Sequence, residues 1–175
     1  MGEHMGEQSE RIVILGSGIS GMCTALALAK RGQNITVLER DTPPPEGDAD
    51  KAFFELPRRG DSQFRHPHAF HGLMCNLLEE NYPDLLEDFY AAGARRLDMR
   101  EMLSPELQAD YSPEPGDEKI WVLLCRGATI ETVLRRYVER LPNIQVINDI
   151  TIDGLIADQT ENGSLTIRGL KVRRD

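Results

Sequence analysis

Four residues carry the first chemical signal in this chain. Gly16, Gly18 and Gly21 stand in the run GSGISG, and Glu39 follows on the far side of a second apolar segment. The spacing suits a dinucleotide. Gly16 permits a tight turn, Gly18 has no Cβ to hold a pyrophosphate off the backbone, and Gly21 lets a helix pack closely on a strand. A helix starting inside Gly16–Gly21, with Ser17, Ile19 and Ser20 in its first turn or the loop before it, offers free N–H groups and partial positive charge to phosphate. The serine hydroxyls add donors. Glu39 can accept both ribose hydroxyls of an adenosine, and a 2′-phosphate there would meet a like charge, which disfavours NADP. The alternative is a glycine turn that binds nothing.

A second cluster is SQFRHPHAFHG, Ser62–Gly72, which holds three of the chain's four histidines. It could be a metal site, the wall of a cofactor pocket, or a structurally satisfied loop. A helical zinc pair wants histidines four apart with a further ligand elsewhere. His66, His68 and His71 are two and three apart, Pro67 interrupts them, and no cysteine supports them. The residues alone leave all three readings open.

These residues need elements to position them. RIVIL, residues 11–15, is too short for a helix and reads as a buried parallel strand. MCTALALAK is apolar nearly all round, as a helix covered on several sides would be, and Gly32 ends it. NITVLE is the next strand, which completes a βαβ unit. DTPPPEGDAD, residues 41–50, reads as a solvated loop. Leu73, Met74, Leu77 and Leu78 recur at helical spacing. Pro83 starts another helix through Leu85, Leu86, Phe89 and Tyr90 to a stop at Gly93. SPELQADYSPEPGDE reads as a loop and KIWVLLC as a strand. Ile130, Val133, Leu134, Tyr137, Val138 and Leu141 form a helical stripe. IQVIN is a further strand, and the tail reads as a hairpin turning at Asn162-Gly163.

Composition narrows the class. The 175 residues suffice for one domain with a sizeable core. A net charge of -9 argues against nucleic-acid and anionic-membrane partners. No apolar run is long enough for a transmembrane helix, and the polar, acidic N-terminus does not read as a signal peptide. Cys23, Cys75 and Cys125 are scattered, without CxxC spacing, and read as reduced buried thiols of a cytoplasmic protein.

GSGISGMCTALALAKRGQNITVLERD, then RRGDSQFRHPHAF, YPDLLEDFYAAGA and WVLLCRGATIETVLRRYVERLPNIQVI, together resemble the FAD-dependent oxidoreductases of the hydroxylase-like group. These are relatives of para-hydroxybenzoate hydroxylase and of aromatic-ring and squalene-type monooxygenases, and the likeness covers roughly residues 11–173. It implies an α/β fold: an incomplete Rossmann-type FAD-binding domain with an antiparallel β-hairpin near the C-terminus. The implied organisation is a disordered tail over residues 1–10 and an FAD-binding domain fragment over 11–175, with the substrate domain and C-terminal FAD segments absent.

By position, the resemblance implies that Gly16, Gly18 and Gly21 meet the pyrophosphate, Glu39 the adenosine ribose, and Arg40 the adenine side. Arg126 would reach the phosphate–ribose region. Gln63, Arg65, His66 and His68 would line the cofactor near the ribityl chain or ring. It also implies a small-molecule substrate, NAD(P)H as reductant, and no catalytic residue that can be named. A homodimer or a completing partner chain is expected. Two alternatives stay open: a NAD-binding dehydrogenase fragment, and a non-catalytic nucleotide-binding module that needs a partner chain.

Overall fold

The computed structural model describes residues 11–160 and 162–174; the tail expected over residues 1–10 lies outside them. In chain order the elements are β1 (Arg11–Leu15), α1 (Ile19–Ala29), β2 (Asn34–Leu38), α2 (Ala49–Glu55), β3 (Pro67–His71), α3 (Gly72–Asn81) and α4 (Pro83–Ala91). There follow β4 (Arg95–Asp98), α5 (Pro105–Asp110), β5 (Trp121–Arg126), α6 (Gly127–Glu139), β6 (Ile144–Ile147), β7 (Ile150–Gln159) and β8 (Leu165–Arg174). Contacts divide the chain into two units: residues up to Pro43 together with those from Val138, and Pro44–Tyr137.

The first unit holds a parallel sheet in the order β1-β2-β6, with Val13 opposite Thr36 and Val37 opposite Val146. β2 is central because it alone pairs on both edges, and Ile35 and Val37 are accordingly buried. α1 connects β1 to β2 and buries Met22, Ala25 and Leu26. Asn143 ties the end of this helix to the start of β6 by donating from Nδ2 to the carbonyls of Ala29 (3.1 Å) and Gln33 (2.8 Å). β1 differs from the sequence expectation. It is an edge strand with Val13 48% and Leu15 52% exposed, because β2 is its one pairing partner among the described residues.

The β7–β8 hairpin is antiparallel, and Gly163 takes a left-handed φ of 83° in its turn, as the Asn-Gly signal predicts. Two bulges, between Ile152 and Gly154 and between Ile156 and Ala157, keep the ribbon amphipathic. They leave the pairs Ile152–Val172, Leu155–Leu170 and Ala157–Ile167 on one face. Ion pairs Asp153–Arg173 (3.5 Å) and Asp158–Arg168 (3.1 Å) mark the other face.

The second unit is built on an antiparallel sheet in the order β3-β5-β4. Leu78 of α3, Leu85 and Phe89 of α4, Leu123 of β5, and Ile130 and Leu134 of α6 are fully buried here. Trp121 is buried as well; its indole N–H donates to Asn76 Oδ1 (3.1 Å), and Arg96 lies over its ring at 4.1 Å. In α3 the buried residues are Cys75 and Leu78, while Leu73 and Leu77 of the expected stripe are exposed.

Four elements were not expected. The histidine segment pairs as β3, β4 forms over Arg95–Asp98, α2 starts at the end of one stretch read as a loop, and α5 forms inside another. Asp48 caps α2 by accepting from Lys51 N (3.0 Å), so the helix starts where the proline run ends. Pro105 opens α5 at a position where its missing N–H costs nothing.

Candidate functional site

The predicted residues fall into two groups, one in each unit. In the first, β1 delivers the chain into a turn at Gly16, whose φ is 93° and whose N–H donates to Leu38 O (2.8 Å). This left-handed conformation is one that L side chains rarely adopt. A Cβ on Gly21 would lie 2.0 Å from the Gly16 carbonyl oxygen, so the third glycine is required for α1 to start this close to the turn. Gly18 stands at the N-cap; no side chain caps the helix and its first turn carries no acid. The cradle therefore fits a pyrophosphate: it is glycine-shaped, open to backbone approach, and free of competing negative charge in the helix's first turn.

Glu39 follows β2 and is buried. Its carboxylate accepts from Ser17 N (2.8 Å), Ser17 Oγ (2.6 Å) and Asp41 N (3.0 Å). The acid is thus fixed against the glycine turn, and Ser17 positions Glu39 through both its amide and its hydroxyl. Asp41, which sequence reasoning passed over, is buried too, and its carbonyl accepts from Asn148 Nδ2 (2.9 Å). Arg40 extends outward, with its side chain 56% exposed and its Nε 4.0 Å from Asp41 Oδ1. Adenosine in this place would meet a buried acceptor beside an exposed guanidinium, which suits a ribose and its base.

In the second unit the histidine block closes the start of α6. Gly127 N donates to His66 O (3.0 Å) and Ala128 N to Phe64 O (2.7 Å). A Cβ on Gly127 would sit 2.7 Å from Phe64 O and 3.1 Å from His68 Nδ1, so this glycine lets the helix meet the loop. The loop is held internally as well: Asp61 accepts from Gln63 N (2.8 Å), and His66 N donates to Gln63 O (2.8 Å). Phe64 is buried with Ala52, Leu56 and Ala128, whereas Gln63, Arg65 and His66 are exposed and His68 is half-buried. Among the described residues no three His, Cys, Asp or Glu side chains are placed to hold a metal ion.

Arg65 donates to Phe53 O (2.7 Å) and Leu56 O (3.3 Å), at the C-terminal end of α2, where a cation is favoured. Arg126, at the end of β5, pairs with Asp50 and lies over the Phe53 ring at 5.2 Å. Neither Asp50 nor Phe53 was singled out from sequence. The signal was the Asp48 cap, hidden inside an acidic, proline-rich run.

All three cysteines are free, and burial pushes Cys23 and Cys125 up to about 11. Cys75 is raised by the same cause, and its thiol donates to Phe70 O (3.1 Å).

A glycine turn at the start of α1, with a buried acid after β2, is the arrangement found in nucleotide-binding α/β proteins. Residues 11–142 match the family of FAD dependent oxidoreductases, and the chain belongs to that family. It is 27% identical over 152 residues to the Mycobacterium tuberculosis protein Rv3254, a match that covers 85% of this chain and 30% of that protein. Among solved structures it resembles Pseudomonas aeruginosa PqsL, a probable FAD-dependent monooxygenase (TM-score 0.61, 15% identity, 93% of this chain and 38% of that one). It also resembles p-nitrophenol 4-monooxygenase PnpA of Pseudomonas putida (TM-score 0.56, 17% identity, 93% and 39%). At these identities the structural matches establish the fold, and the chain spans well under half the length of each relative. Among the described residues no helix is long and apolar enough to cross a membrane.

Proposed function

We propose that this chain is the FAD-binding portion of a flavin-dependent oxidoreductase of the monooxygenase type, using NAD(P)H and oxygen on a small-molecule substrate. The observation that carries the reading is the glycine turn and buried Glu39, bonded to each other through Ser17, in a chain of the FAD dependent oxidoreductase family. The flavin, when bound, supplies the redox chemistry.

The chain's residues bind and orient it. Gly16, Gly18 and Gly21, with the amides of Ile19 and Ser20, hold the pyrophosphate. Glu39 accepts from the adenosine ribose, and Arg40 flanks the adenine. Arg126 meets phosphate with a guanidinium, which stays charged and donates in a fork. Gln63, Arg65, His66 and His68 line the cofactor's inner portion; Gln63 and His66 are exposed, His68 is half-buried, and Arg65 is held on the carbonyls of Phe53 and Leu56. Three free thiols fit a reducing, cytoplasmic setting, and a second copy or a partner chain covers the exposed Val13 and Leu15 of β1.

Absorbance of the purified, cofactor-loaded protein tests the reading. A flavin band near ~450 nm that exceeds the free flavin after equilibrium dialysis against FAD is the expected result. Retention of NAD in its place would overturn it in favour of a dehydrogenase fragment.

A further inference from the structure

α2 sorts its side chains by position. Ala49, Ala52 and Leu56, at helical spacing, are buried and fix the helix in the core. Asp50 and Phe53 are three apart and share another face. On that face they grip one guanidinium: Arg126 pairs with Asp50 and lies 5.2 Å from the Phe53 centroid. Arg65 stands 5.9 Å from the same ring, so two cations share one phenyl group. Arg65 is anchored by the carbonyls of Phe53 and Leu56, and the anion that meets Arg126 is a carboxylate from the helix. Both partners are accessible, Arg126 at 40% and Asp50 at 66% side-chain exposure. An ion pair this open is weak and exchangeable.

We propose that Asp50 is the resident counter-ion of Arg126, and that a cofactor phosphate displaces it. The proposal rests on the reading that Arg126 binds FAD phosphate. The Phe53 ring keeps its contact with the guanidinium through the exchange, because a cation–ring contact does not depend on the carboxylate. Asp50 therefore lowers FAD affinity: it neutralises the cation before the cofactor arrives and repels the diphosphate afterwards. It also keeps Arg126 ordered and paired when no cofactor is bound.

FAD titration, followed by flavin fluorescence, of the whole chain and of Asp50→Asn, Arg126→Gln and the double variant tests this. Asp50→Asn keeps the shape of the side chain and removes its charge. It should bind FAD about 3- to 10-fold more tightly at low salt, with the gain shrinking as salt screens it. Arg126→Gln should bind about 10-fold more weakly. In the double variant the Asp50→Asn gain should vanish, because the carboxylate acts through Arg126. Circular dichroism melting of each variant checks that it folds. If Arg126→Gln weakens binding while Asp50→Asn leaves it equal or weaker, the counter-ion exchange is wrong and Asp50 merely positions the arginine. If Arg126→Gln binds FAD as the parent does, the Arg126 reading itself fails and the exchange with it. A gain in Asp50→Asn that persists in the double variant overturns the coupling.

Discussion

Glu39 has two tasks that pull on one carboxylate. It anchors Ser17 and Asp41 N, and in the proposed function it accepts from ribose. Glu39→Ala should therefore weaken FAD binding by about 1–3 kcal/mol, through lost charge-assisted hydrogen bonds. It should also lower the melting temperature, since two amides lose their acceptor. Glu39→Gln, which keeps one carbonyl oxygen, should lose affinity with a smaller drop in melting temperature. Equal FAD affinity in parent and Ala variant would remove Glu39 from the site. The thiols make a second prediction at this scale. Folded Cys23 and Cys125 hold their protons more tightly than unfolded thiols, with values of about 11 against 9.0. The stability this supplies is fully present below pH ~9 and is lost as pH rises towards ~11. Labelling by a thiol reagent at pH 8 should be slow in the folded protein and fast in denaturant. Rapid labelling of the native protein at pH 8 would contradict the burial.

The glycine turn was legible in the sequence because everything it needs lies within one contiguous βαβ stretch. Strand, turn, helix and acid each leave their own local signature there. α2 left no such signature: it is seven residues long and depends on one capping aspartate, on Phe64 from the loop that follows it, and on Ala128 from a distant segment. For the same reason the partners of Arg126 were invisible, since Asp50 is 76 residues away in the chain. β3 was hidden because proline and histidine are poor strand signals, and β5 supplies the pairing that makes it a strand. At the element scale the sharpest test is Gly21→Ala. Its Cβ would meet the Gly16 carbonyl oxygen at 2.0 Å, and backbone cannot move aside cheaply. A loss of about 3 kcal/mol or more is expected. Gly169→Ala, whose Cβ would find Ile156 Cδ1 at an ordinary 3.8 Å, should change stability by no more than about 0.5 kcal/mol. Urea denaturation of both variants checks the contrast, and equal stabilities would contradict the close approach of α1 to its turn.

At the scale of the molecule, several large apolar side chains are exposed. Leu165 is 71% exposed, Leu155 57%, Ile167 53% and Val172 50% on the hairpin, and Val13 and Leu15 stand on the edge strand β1. Surface of this kind drives association, and an unpaired strand edge does the same. The chain should self-associate as its concentration rises, and replacing Leu165 and Ile167 with threonine should shift it towards monomer. Light scattering after size exclusion reads this directly. A monomer at every concentration would show that these faces are tolerated by solvent. That the hairpin would carry several of these side chains on one face was not legible in the sequence, because two bulges decide which side chains share a face.

The central claim is the proposal that the glycine turn and Glu39 bind FAD. Titration of FAD into the cofactor-free protein, followed by quenching of flavin fluorescence, measures this. The account predicts saturable binding of one FAD per chain, with a Kd of about 1 μM or weaker, undiminished by excess NAD and reduced in Glu39→Ala. Absence of saturable FAD binding, or displacement of FAD by NAD at equal concentration, would contradict it.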